Sequence, residues 1–172
     1  MALIVQKYGG TSVGSVERIH NVAERVKRYR EQGDDVVVVV SAMSGETNRL
    51  IALANEISDD PNPREMDVLV STGEQVTIAL LCMALEKIGC KARSYTGAQV
   101  HILTDSAHSK ARIMDLDHAR VCADRRSGRV VVGAGGLGVE EHGDVATGGR
   151  GGADPGGGAW AAGVTAGAGG GC

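Results

Sequence analysis

DVVVVVS, residues 35–41, sets five valines in a row with no polar residue among them. A strand with one wet face alternates apolar and polar residues, so an unbroken β-branched run suits a strand covered on both faces, inside a parallel sheet between helix layers. Upstream, Val16, Ile19, Val22, Ala23, Val26 and Tyr29 recur at helical spacing. Ser15 stands as candidate N-cap, Glu17 lies in the first turn, basic residues in the last, and Gly33 follows the end. Before that helix, ALIVQ (residues 2–6) is a short apolar run entering a glycine turn, a further buried strand. One βαβ unit is therefore legible.

Downstream, Thr47–Ser58 carries Leu50, Leu53, Ala54 and Ile57 on one helical face, and Pro61 and Pro63 break it. Arg64–Lys87 reads as further helix interrupted near Gly73, Lys91–Tyr95 as a strand, and RVVVGAG (residues 129–135) as another buried strand. Alternating strands and helices give an α/β fold, with a mostly parallel sheet and helices on both faces. The alternation stops where glycines accumulate: 17 of the 26 lie after residue 128. The division expected is 1–154 for the folded part and 155–172 for a Gly/Ala-rich tail. Such a tail loses much backbone entropy on folding and buries little, so poor order is expected there. The sheet is expected to lack strands that would complete it, as in a truncated domain.

The 172 residues are 42% hydrophobic, enough for a sizeable core. A formal charge of −3 leaves no basic excess, which argues against nucleic acid as a partner. No apolar run is read as a membrane span, and the apolar part of MALIVQKYGG is too short for a secretory signal, so a cytoplasmic location is expected. Cys82, Cys90, Cys122 and Cys172 fall at no metal-ligand spacing and are read as reduced structural thiols.

Four segments could carry chemistry. KYGGTS (residues 7–12) places Lys7 at a strand end and Gly9 and Gly10 in the turn before a helix, where backbone N–H groups can face phosphate oxygens. It is no Walker A loop, since the lysine precedes the glycines, and the same residues suit a purely structural turn. VSAMSGETN (residues 40–48) is a second small-residue loop after a buried strand. Ligands bind outside the carboxyl ends of parallel strands, so both loops could face one crevice, while Ser44 or Thr47 could instead cap the next helix. VSTGEQVT (residues 70–77) sets Gly73 and Glu74 where a helix could begin, and Glu74 could serve only its dipole. In GRGGAD (residues 149–154), Arg150 could clamp a carboxylate and Asp154 could orient an amine, or the segment is an exposed flexible loop.

Together the four segments, with LTDSAHSKARI (residues 103–113), resemble the aspartokinases of the amino acid kinase superfamily, whose patterns KFGGTS, VSAMxGxTN, STGE and GRGGSD occur in this order. Similarity runs from Met1 to about Val132. The resemblance implies the amino acid kinase fold, shared with carbamate kinase, and ATP-dependent phosphorylation of the β-carboxylate of L-aspartate, the first step towards lysine, threonine and methionine. It implies ATP with Mg²⁺ as cofactors, and a homo-oligomer as the family's common assembly. By the same resemblance Lys7 acts on the transferred phosphoryl group, Gly9, Gly10, Thr11 and Ser12 shape the phosphate loop, and Ser41 lies near the phosphates. Thr47 and Glu74 then contact L-aspartate, Arg150 holds its α-carboxylate, and Asp154 is an acid beside that site. Ala153, Asp154, Pro155 and Gly156–Gly158 depart from the family pattern, and the KYTDVDG-like stretch and the ACT domains are not seen. A non-catalytic fragment retaining part of the acceptor site, or a relative acting on another carboxylate, are the alternatives.

Overall fold

The structure is a computed structural model that describes residues 2–100, 103–104, 113–115, 119–140 and 145–147. The elements run β1 (Leu3–Tyr8), α1 (Val16–Glu31), β2 (Asp35–Val40), α2 (Glu46–Ile57), α3 (Pro63–Lys87) and β3 (Ala92–Tyr95). A short 3₁₀ turn (Ala98–Val100), β4 (Leu103–Thr104), β5 (Ile113–Asp115), α4 (Ala119–Arg126), β6 (Val130–Ala134), β7 (Leu137–Glu140) and β8 (Val145–Thr147) follow. The main sheet has the order β1-β2-β6-β3 and is parallel throughout. A second sheet, β5-β4-β7-β8, is mixed and was not foreseen.

The valine run behaves as its composition demands. Val36 to Val40 have no exposed surface. Val36, Val38 and Val40 enter a core with Ile19, Val22 and Val26 of α1 and Ile78, Leu81 and Leu85 of α3. Val37 and Val39 point the other way, into a smaller core with Val121 of α4, Val100 and Tyr95. Each such side chain contributes roughly 1.5–3 kcal/mol relative to exposure. Helices thus cover both faces of the sheet.

Helix α1 starts and stops as its caps prescribe: Ser15 Oγ accepts from Arg18 N at 3.2 Å, and Gly33 takes a φ of 88° just past the end. The other helices correct the sequence reading. At α2 neither Ser44 nor Thr47 is the cap; Gly45 occupies that position with φ 82° and no side-chain bond, because the turn out of β2 needs left-handed backbone there. Helix α3 runs unbroken through Gly73 for 25 residues, with Asn62 capping Arg64 N at 2.9 Å and Pro63 in the first turn. One interior glycine costs about 1 kcal/mol, which tertiary packing along the rest of α3 outweighs. By length and composition α3 is apolar enough to cross a membrane, contrary to the reading that no run was. Its Ile78, Leu81 and Leu85 are instead buried against α1 and the sheet.

The amino edge of the sheet is tied by charge. Asp35 pairs with Arg30 at 2.8 Å and lies 3.5 Å from the Nε of buried Arg125, and Arg30 also donates to Gly128 O at 3.1 Å. On the α4 face, Asp124 accepts from Tyr95 Oη, from Arg129 at 3.0 Å and from Arg93 at 3.4 Å. Cys82 and Cys90 are free and buried. Cys122 is buried in α4, and Cys172 lies outside the described residues. The boundary expected at 154/155 lies outside the described residues.

Burial, reinforced by the charge of Glu86, pushes the Cys82 thiol up to about 12, and burial likewise raises that of Cys90. Iodoacetamide at about pH 8 should therefore spare both in the native chain and modify both in urea, since only the thiolate reacts. Mass spectrometry showing rapid native modification at either position would contradict this packing.

Candidate functional site

The carboxyl ends of β1, β2 and β6 lie side by side, with Lys7 opposite Val39, Tyr8 opposite Val40, and Val40 opposite Ala134. Three loops leave from these ends and are held together by backbone bonds: Ser41 N donates to Tyr8 O at 3.1 Å and Gly135 N to Val40 O at 2.9 Å. Lys7 is exposed on the face that alternation assigns to Leu3 and Val5. Beyond it, Gly9 to Ser12 close a turn, with Ser12 N donating to Gly9 O at 2.9 Å. Arg18 of α1 braces that turn by donating to Thr11 O at 2.6 Å. Thr11 and Ser12 are exposed, and an open groove of about 800 Å³ runs from Ser12 along Arg18, Arg25 and Arg28. At its floor, burial raises the Tyr8 phenol above its ordinary range, with Arg25 opposing.

The glycines of this turn have separate reasons. A Cβ on Gly10 would meet Ala42 O at 2.8 Å, and one on Gly14 would meet Ser44 Cβ at 3.1 Å, whereas one on Gly9 would meet nothing within 4 Å. Gly10 and Gly14 are thus required by close approach to the second loop, while Gly9 is open. That second loop carries half-buried Ser41 and delivers Thr47 to the first turn of α2, also half-buried. Beside Thr47, the hydrogen bonds of Arg49 hold the Glu46 carboxyl below its usual range.

Glu74 sits midway along α3, not at a helix start, so the dipole role does not apply to it. Its carboxylate reaches across to the exit of β6, where Oε2 accepts from Gly136 N at 3.0 Å. The preceding Gly73 is buried against the second loop: a Cβ there would lie 3.1 Å from Ala42 Cβ and 3.3 Å from Glu46 Cγ. The structure therefore brings together Lys7, Gly9–Ser12, Ser41, Thr47 and Glu74 along one edge of the sheet. Arg150 and Asp154 lie outside the described residues. Sequence reading missed Gly136 and Ala42. GAGG at residues 133–136 carried the signal for the first, a glycine turn at a buried strand's end, but the strand was read only as far as Gly135 and no role was given to the residue after it. Nothing in sequence singles out Ala42.

Paired loops at the carboxyl edge of a parallel sheet, one glycine-rich and one bearing hydroxyls, place this chain among the α/β proteins with an open parallel sheet, the class in which ligands bind outside the carboxyl ends of the strands. The chain belongs to the amino acid kinase family, whose sequence pattern matches residues 2–168. It is 70% identical over 154 residues to the aspartokinase of Pseudomonas aeruginosa, covering 90% of this chain and 37% of that protein. Identity to the aspartate kinase of Pseudomonas putida is 69% over 154 residues, covering 90% of this chain and 38% of that one. The chain thus spans well under half the length of these relatives. The solved aspartate kinase from Synechocystis matches with TM-score 0.75 and 50% identity over 87% of this chain and 24% of that one. Aspartokinase III of E. coli, solved with aspartate and ADP, shares the fold at TM-score 0.75 and 23% identity, over 88% of this chain and 44% of that one.

Gly10→Ala should lower stability by about 1–3 kcal/mol, because its Cβ must displace the backbone at Ala42. Gly9→Ala should leave the urea midpoint nearly unchanged. Equal midpoints for the two variants would contradict the loop contact.

Proposed function

We propose that this chain carries the acceptor and phosphoryl-contact half of an aspartate kinase, catalysing ATP-dependent phosphorylation of the β-carboxylate of L-aspartate. The observation that carries the reading is the convergence of Lys7, the Ser41–Thr47 loop and Glu74 at neighbouring strand ends, in a chain highly identical to aspartokinases. The acceptor carboxylate is ionised at neutral pH, so no protein base is needed. Its oxygen forms the bond to the γ-phosphorus as the bond to the bridging oxygen breaks, giving β-aspartyl phosphate and ADP.

What the protein must supply is position and compensation of charge, since two anions are brought together. Lys7 offers a cation at the strand end, and the backbone N–H groups of the Gly9–Thr11 turn, which the Ser12 N–H closes onto Gly9 O, offer dipoles that need no mobile side chain. Mg²⁺ held by the nucleotide phosphates would add neutralising charge when bound. Ser41 lies next to the phosphates in this reading, and Thr47 offers a hydroxyl to the acceptor. Glu74, with one oxygen engaged by Gly136, directs a carboxylate toward the ammonium group. Arg150 and Asp154 would complete the hold on the α-carboxylate and its surroundings. A cytoplasmic location, a homo-oligomer and a place at the first step towards lysine, threonine and methionine belong to the same proposal.

Thermal unfolding with L-aspartate, D-aspartate and L-glutamate tests the acceptor assignment. L-Aspartate alone should raise the transition, by about 2.7 kcal/mol at a hundredfold excess over Kd. An equal response to all three, or none, would overturn it. Where ADP release is measurable, Lys7→Ala should slow it by about 10²-fold or more, and an unchanged rate would remove Lys7 from the transfer step. Selective L-aspartate binding without ADP release would leave the acceptor assignment standing and refute turnover by this chain.

A further inference from the structure

Gly73 is the one glycine within α3, and its backbone is helical, so no left-handed conformation calls for glycine. Alanine there would favour the helix by about 1 kcal/mol. Space explains the glycine instead. A Cβ at residue 73 would meet Ala42 Cβ at 3.1 Å, Glu46 Cγ at 3.3 Å and Leu50 Cδ1 at 3.5 Å. The first two contacts belong to the loop out of β2 and to the first turn of α2, the turn that also carries Thr47. Ala42 is itself buried and cannot retreat freely, because its carbonyl oxygen is the atom that a Cβ on Gly10 would meet at 2.8 Å. It is held between the phosphate turn on one side and α3 on the other. The next residue of α3 is Glu74, fixed at its far end by Gly136 N at 3.0 Å.

We propose that Gly73 is a positioning residue: by letting α3 seat directly on Ala42, it sets the spacing between Glu74 and the Ser41–Thr47 loop. The inference rests on the acceptor-site reading given under Proposed function. Gly73 touches no substrate. It acts through Ala42, and a methyl at residue 73 widens the gap between helix and loop by a few tenths of an ångström. Thr47 and Glu74 then fit one acceptor less well, since a binding constellation must be held to within about 0.5 Å of its productive geometry.

The test compares the wild-type chain, Gly73→Ala, Ala42→Gly, and the double variant Gly73→Ala/Ala42→Gly. Backbone amide chemical shifts are read without ligand, and L-aspartate affinity is read by calorimetry with D-aspartate as blank. Gly73→Ala should move the amides of Ser41 to Thr47, weaken L-aspartate binding about tenfold, and keep a cooperative thermal transition. The double variant should restore both readouts, because the methyl of Ala42 that the added Cβ strikes has been removed. Unmoved loop amides in Gly73→Ala, or a double variant no closer to wild type than Gly73→Ala, would overturn the proposal. Were the wild-type chain not to bind L-aspartate, the acceptor reading would fall, while the amide shifts alone would still decide whether Gly73 sets the loop.

Discussion

Five consecutive valines with no exposed surface oblige the chain to build a helix layer on each face of β2 and a neighbouring strand on each edge. A β-branched strand left half-covered would keep several apolar side chains in water, each at a cost of about 1.5–3 kcal/mol. The surrounding elements answer that demand: α1 and α3 cover the even-numbered valines, α4 and the 3₁₀ turn the odd-numbered ones, and β1 and β6 pair along the sides. Because the strands are parallel, all their carboxyl ends fall on one edge. The loops that leave β1, β2 and β6 therefore have no choice but to share space there.

That shared space is tight, and glycine is how the sequence accommodates it. Gly10 and Gly14 admit the second loop, and Gly73 admits the same loop from the helix side, so Ala42 is enclosed from two directions. Rigid backbone packing of this kind holds polar groups where they need no reorganisation when charge is brought in. The opposite edge is secured differently, by Asp35, Arg30 and Arg125, and carries no comparable glycine contacts among the described residues. A site built on one edge and an ion-paired tie at the other fit the division of labour common to parallel sheets.

Much of this was legible in sequence, and the failures have physical causes. Strand β2 and helix α1 announce themselves because local preference and tertiary demand agree: an unbroken valine run, and a serine cap with a glycine stop. Helix α3 was misread at Gly73 because a local glycine penalty was weighed without the packing that overrides it. Ser44 and Thr47 were the only caps considered for α2, as an alternative to a ligand role, because nothing in sequence reports that the turn out of β2 requires left-handed backbone at Gly45. Gly136 was missed for a related reason. Its contribution is a backbone N–H to a carboxylate 62 residues earlier, and no side-chain pattern encodes such a bond.

In the function proposed here, the carboxyl ends of β1, β2 and β6 form one acceptor site. A crystal structure of the chain grown with L-aspartate tests this most directly. The ligand should lie at that edge, with its ammonium group within hydrogen-bonding distance of the Glu74 carboxylate and an oxygen within reach of Thr47. Clear density for L-aspartate elsewhere, or an edge that stays empty at saturating ligand while the strands and loops remain as described, would contradict the claim.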